Sequence, residues 1–183
     1  MVAIISELDP VSSATVQVLW QRLRDTCGLT AIYDIPIPHF TWFLADEMEI
    51  EKAVSILSQI AARSDPLSIY TSGIGIFSGE RPVIYLPIIK TVGLIELHRQ
   101  IWDQVYAFSK EIKLYYSPTL WVPHITLAVK DLTKENLHCA VDQLAFEPFE
   151  LIIAVDSLVI GEILESGQVN VLDKLSLEGS LDE

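Results

Sequence analysis

Residues 38–43, Pro-His-Phe-Thr-Trp-Phe, and residues 123–128, Pro-His-Ile-Thr-Leu-Ala, share one pattern, Pro-His-apolar-Thr-apolar, and the rest of the chain is read outward from them. In a strand, residues i and i+2 point to the same face, so His39 and Thr41 project together while Phe40 and Trp42 project to the other side. In the second copy His124, Thr126 and Ala128 share a face, and Ile125, Leu127 and Val129 supply an apolar face that can pack on a helix. The β-branched and aromatic content of residues 39–45 favours a strand although polar and apolar residues do not alternate cleanly. Each motif therefore offers an imidazole and a hydroxyl from a strand anchored in a core.

Two imidazoles converging on one phosphodiester form a complete acid–base pair, because a histidine titrating near ~6.5 can hold either state at neutral pH. One would take a proton from water or a ribose hydroxyl, and the other would protonate the leaving oxygen. The threonine hydroxyls could donate to nonbridging oxygens as charge builds on phosphorus. Such chemistry requires no metal and no cofactor. A single histidine beside a strand is more often structural, but two of the chain's four histidines sit in the same context. The expected activity is cleavage of a small phosphodiester by catalytic His39 and His124, with Thr41 and Thr126 binding the phosphate. The alternative is a module that holds a phosphorylated metabolite or an RNA end in the same place without turning it over.

Around the motifs the elements repeat in outline. Val2 to Leu8 is β-compatible, and Asp9-Pro10 opens a helix whose apolar positions are Val16, Leu19, Trp20, Leu23 and Cys27. After the first motif a helix is expected with Ile50, Val54, Leu57 and Ala61 on one face. A hairpin follows, with Ser68–Phe77 and Val83–Ile89 joined by the turn at 78–82. Leu94, Leu97, Ile101, Val105 and Phe108 mark a third helix, 117–123 a loop, and Thr133–Phe146 a fourth helix. Phe149–Ile163 and Val169–Leu177 are strand-like around a Glu165-Ser-Gly-Gln turn. Helix, motif strand, helix and strand pair thus occur twice, which suggests two similar lobes facing one another across a cleft.

The chain has 183 residues, half of them hydrophobic, enough for one domain with a substantial core. We expect a single bilobal unit over 1–177 and a flexible acidic tail over 178–183. A formal charge of −13 disfavours long nucleic acid, which needs a basic stripe to displace counterions, so a nucleotide substrate should be small or a chain end. Cys27 and Cys139 are far apart and belong to no Cys-x-x-Cys or Cys/His cluster, so neither a disulfide framework nor a zinc site is expected, and two buried free thiols are. The first residues lack a basic leader, and no apolar run approaches the roughly 20 residues of a membrane span. A cytoplasmic monomer without membrane contact is expected.

His98 and His138 fall in helices without a partner motif and are read as helix-surface or groove residues. Gly73-Ile-Gly75 continues as strand instead of opening a helix, so it reads as a kinked or closely packed strand and not as a nucleotide loop.

Pro38-His39-Phe-Thr41, the stretch from Gly73-Ile-Gly-Ile-Phe77 through Val83-Ile-Tyr-Leu86, the helix from Thr91 with Leu97-His98, and Val122-Pro-His124-Ile-Thr126-Leu together resemble the 2H phosphoesterase superfamily. The resemblance is to its 2',5'-RNA ligase-like (LigT-like) branch and covers most of the chain. It implies an α+β bilobal fold, with two antiparallel-rich sheets lining a central cleft and helices outside. It also implies cleavage of a 2',3'-cyclic phosphate or a 2',5' linkage, with His39 and His124 as acid and base. Many members carry a basic residue shortly after the second motif, whereas here Leu-Ala-Val129 intervenes before Lys130, which strand parity puts on the His124 face if no bulge intervenes. Arg81, beside Pro82 in the middle turn, Tyr115 and Trp121 complete the candidate substrate contacts; packing or solvent exposure is the competing explanation for each.

Overall fold

The computed structural model describes residues 1–164 and 169–179. In chain order the elements are β1 (Val2–Glu7), α1 (Pro10–Cys27), β2 (His39–Met48), α2 (Ile50–Ala61), β3 (Leu67–Tyr70), β4 (Gly75–Phe77) and β5 (Val83–Pro87), then α3 (Val92–Val105), β6 (Ser109–Ile112), β7 (His124–Ala128), α4 (Leu137–Leu144), β8 (Ile152–Val155), β9 (Ser157–Ile163) and β10 (Val169–Ser176). The helix start at Asp9-Pro10 works as expected: the Asp9 carboxylate accepts from the Val11 and Ser12 amides, and Gly28, at φ 73°, ends α1.

The first lobe is the sheet β10-β9-β1-β2-β6, with α2 and α3 packed on it. In the second lobe β4, β5 and β7 form one sheet and β3 pairs with β8. A bridge between Thr71 and Ile88 joins the two pieces, so β3 and β4 act as one kinked strand along β5. The kink is at Gly73, φ 62°, and Gly75 lies so close that a Cβ there would collide with the Tyr85 ring. α1 and α4 cover this lobe, and α1 contacts β7. The stretch expected as one strand over 149–163 breaks at Asp156, so that β8 serves the second lobe and β9 the first. β6, which no sequence signal indicated, adds an edge strand to the first lobe through Ala45–Ile112 and Met48–Ser109 pairing.

Cys27 and Cys139 form a disulfide, with Cα atoms 5.7 Å apart, and are not the free thiols expected. The end of α1 and the start of α4 lie side by side, a proximity that a separation of 112 residues does not reveal. Glu178 and Gly179 donate their amides to the carbonyls of Ala61 and Ser64, tying the chain just past β10 to the end of α2. Residues 180–183 of the expected tail, and the Glu165-Ser-Gly-Gln turn, lie outside the described residues. Among the described residues no helix is long and apolar enough to cross a membrane.

Candidate active site

The two motif strands meet at the centre of the molecule, where β2 packs against β7. Each His opens its strand behind a proline, and each proline carbonyl is taken by the neighbouring strand's continuation: Leu8 N–H donates to Pro38 O at 3.1 Å and Ile88 N–H to Pro123 O at 2.9 Å. His39 Nδ1 lies 2.6 Å from Ile37 O, and His124 Nδ1 lies 2.7 Å from Val122 O. A carbonyl only accepts, so Nδ1 carries a proton in both rings, and Nε2 is the nitrogen left to gain or lose one.

Both strands then bulge at the same place. Ile5 faces Thr41 and Ile4 faces Phe43, leaving Trp42 extra; Tyr85 faces Thr126 and Ile84 faces Ala128, leaving Leu127 extra. A bulge lets two successive residues turn toward the core, and Trp42 with Phe43, and Leu127 with Ala128, are buried pairs. This is why alternation fails in the sequence. An indole serves each threonine carbonyl beside the bulge: Trp121 Nε1 donates to Thr41 O at 2.9 Å, and Trp20 Nε1 donates to Thr126 O at 3.0 Å.

His39, Thr41, His124 and Thr126 line one cleft of about 180 Å³, together with Tyr116 and the apolar face of the first sheet. On one flank is a second cleft of about 180 Å³ that includes Trp20, Asp34 and Lys130; on the other is a groove of about 450 Å³ that includes Phe77, Tyr115 and Leu120. A cavity of about 500 Å³ between α2 and α3 is larger, but it contains none of the motif residues.

Burial pushes both motif imidazoles below the ordinary histidine range. The hydrogen bond to Ile37 and the charge of Glu7, its partner across the strand pair, oppose this for His39. For His124 the bond to Val122 opposes it, while the positive charge of His39 adds to it. His124 is also walled by aromatic edges, with Phe77 at 4.9 Å and Tyr85 at 5.2 Å between ring centroids.

The other candidates are distributed unevenly. Lys130 lies beyond β7 at φ 71°, past the bulge that breaks the parity expected of it, and its Nζ is 2.7 Å from Asp34; it still lines the cleft flank beside His39 and Thr126. Tyr115 is 59% exposed on the groove. Trp121, 1% exposed, stays behind Thr41 in the core and does not face the cleft. Arg81 is solvent-exposed between β4 and β5 and lines none of these cavities.

His98 is not a surface or groove residue. It is 1% exposed, stacks on Trp121 at 3.7 Å, and donates from Nε2 to Tyr116 O at 3.0 Å. Burial lowers its pKa to about 4. It falls in line with Leu94, Leu97, Ile101 and Val105 on the buried stripe of α3, a periodicity that could have identified it. His138 is exposed, as expected. Tyr116, whose phenol burial pushes up to about 12, lines the cleft, and Glu7 faces His39 across the strand pair; the motif gave no reason to select either.

Residues 10–165 match the sequence model of the 2'-5' RNA ligase superfamily. A Geobacillus kaustophilus protein named as a candidate phosphoesterase is 28% identical over 150 residues, 80% of this chain and 82% of its own. Among solved structures, a protein of Thermus thermophilus superposes with a TM-score of 0.68 at 20% identity, covering 98% of both chains. Escherichia coli LigT in complex with ATP superposes with a TM-score of 0.61 at 18% identity, covering 96% of both. LigT has also been crystallised with 3'-AMP. The bilobal α+β architecture is therefore that of the LigT-like structures.

Proposed function

The chain belongs to the 2'-5' RNA ligase superfamily, and from that premise we propose that it is a metal-independent phosphodiesterase that cleaves a small 2',3'-cyclic phosphate or a 2',5'-linked nucleotide. The observation that carries this reading is the paired site: two imidazoles with Nδ1 anchored and Nε2 without a hydrogen-bond partner among the described residues, each beside a threonine, around one cleft. The named phosphoesterase relative and the nucleotide complexes of LigT point the same way.

In the proposed reaction, water or a hydroxyl sits between one imidazole and the phosphorus. The neutral Nε2 takes its proton as the new P–O bond forms. The ester P–O bond opposite breaks, and the second imidazole gives its Nε2 proton to the departing ribose oxygen. Hydrolysis of a cyclic diester thus adds one water and yields a monoester. Thr41 and Thr126 donate to the nonbridging oxygens. Glu7 favours the protonated form of His39, and the His39 charge favours neutral His124, so His39 is assigned as acid and His124 as base in the forward direction.

The test is turnover in EDTA of a panel of nucleoside 2',3'-cyclic phosphates and 2',5'-linked oligoadenylates. Turnover by the native chain and its loss in a His39→Ala/His124→Ala double variant are expected. No turnover of any substrate, or equal turnover by the variant, would leave phosphate binding without catalysis as the better account.

A further inference from the structure

We propose that the site selects phosphodiesters carrying a single negative charge, and that the groove beyond His124 holds an uncharged ring of the substrate by apolar contact while a second phosphate is disfavoured. This rests on the phosphodiesterase reading and narrows it to nucleoside cyclic phosphates and other monoanions, against oligonucleotides and 5'-phosphorylated ends.

Three observations converge on it. First, the groove of about 450 Å³ opens directly onto His124 and Thr126, and its other walls come from Phe77, Val83, Tyr115, Tyr116, Leu120, Val122 and Val129. Tyr115 and Leu120 stand 59% and 60% exposed on its rim, apolar surface available to a flat ring. Second, among the described residues Lys130 is the one Lys or Arg lining the three clefts, and Asp34 holds it at 2.7 Å. Nearby Lys113 is likewise held by Asp46 at 2.7 Å, and Glu7 is matched by Lys174 at 2.6 Å. The catalytic cleft and the groove beyond His124 thus offer a phosphate no Lys or Arg among the described residues, and the imidazole pair carries one charge when one ring is acid and the other base. Third, the chain carries −13, a net charge that repels a further phosphate at long range.

The experiment compares kcat/KM for adenosine 2',3'-cyclic phosphate, the same compound bearing a 5'-phosphate, and glycerol 1,2-cyclic phosphate, each at low and high salt. We expect the 5'-phosphorylated compound to be poorer by about tenfold or more at low salt, and its rate to rise more steeply with salt as repulsion is screened. In a Tyr115→Ala/Leu120→Ala variant, both changes being on exposed side chains, the preference for the adenosine compound over the glycerol compound should fall by about tenfold. A Leu120→Lys variant should narrow the penalty on the 5'-phosphate. Equal or better turnover of the 5'-phosphorylated compound, with a rate that falls as salt rises, overturns the inference and leaves the phosphodiesterase reading intact. So does an undiminished preference for adenosine in the double variant. Absence of turnover with all three compounds removes both.

Discussion

The two motif strands have the same backbone geometry and different electrostatics. On β2 and on β7 the imidazole is pinned through Nδ1 to the carbonyl two residues back, a bulge follows the threonine, and an indole N–H takes the threonine carbonyl. Beyond this shared frame the lobes diverge. Glu7 lies across from His39, whereas Pro87 lies across from His124, which stands among Phe77 and Tyr85. Behind Thr41 is the stacked pair His98 and Trp121; behind Thr126 is Trp20 from α1. Two matching strands can thus deliver chemically identical side chains in the same orientation while their neighbours differ: burial lowers both imidazoles, Glu7 opposes the shift at His39, and the His39 charge adds to it at His124.

Removing either imidazole tests whether the lobes contribute jointly. His39→Ala and His124→Ala should each lower kcat on the order of 10²- to 10⁴-fold with the circular dichroism spectrum unchanged. If one variant keeps native activity, the paired site is wrong.

The next effect separates the lobes by acid stability. His98, buried in the first lobe, has its pKa lowered to about 4 against an unfolded value near ~6.5, so the unfolded chain binds more protons between these values. The stability it contributes is present above about 6.5 and is lost progressively as pH falls toward about 4, by up to about 3 kcal/mol. Urea unfolding across this range should show the loss, and His98→Gln should flatten it. An unaltered slope in that variant would place the acid sensitivity elsewhere.

The two indoles offer a smaller, paired comparison. Trp20→Phe and Trp121→Phe each leave a threonine carbonyl without its donor, at a cost of roughly 1–3 kcal/mol. Trp121→Phe should cost more, because the stacking on His98 is weakened as well. Equal losses in denaturant melts would mean that the stack contributes nothing measurable.

The smallest expected effect falls on Glu7. Its charge raises the His39 pKa against burial, so Glu7→Gln should move the His39 titration, followed by NMR, to lower pH and shift that of His124 less. Equal shifts in both rings would remove the distinction between the lobes.

Much of this was legible in the chain. Asp9-Pro10 and Gly28 mark the ends of α1, and Val16, Leu19, Trp20 and Leu23 form its buried face, because capping and helical periodicity are local. The Pro-His-x-Thr pairs were likewise readable, since strand parity puts their side chains on one face. What escaped depends on contacts remote in sequence. Cys27 meets Cys139 because α1 packs on α4, β6 pairs with a strand some 60 residues earlier, as in Lys110 beside Glu47, and Lys130 reaches Asp34 only after a bulge has cancelled its parity. The bulges did leave a trace. Trp42-Phe43 and Leu127-Ala128 are adjacent apolar residues at the same point of each motif, and a break in alternation repeated in register is a bulge signal.

The central claim is that two equivalently anchored imidazoles divide acid and base work on one phosphate. The measurement that bears on it most directly is the pH dependence of kcat/KM for a nucleoside 2',3'-cyclic phosphate, in EDTA, for the native chain and for His39→Gln and His124→Gln. A bell-shaped profile is expected for the native chain, with the alkaline limb missing in His39→Gln and the acid limb missing in His124→Gln. Both limbs surviving in either variant would contradict it.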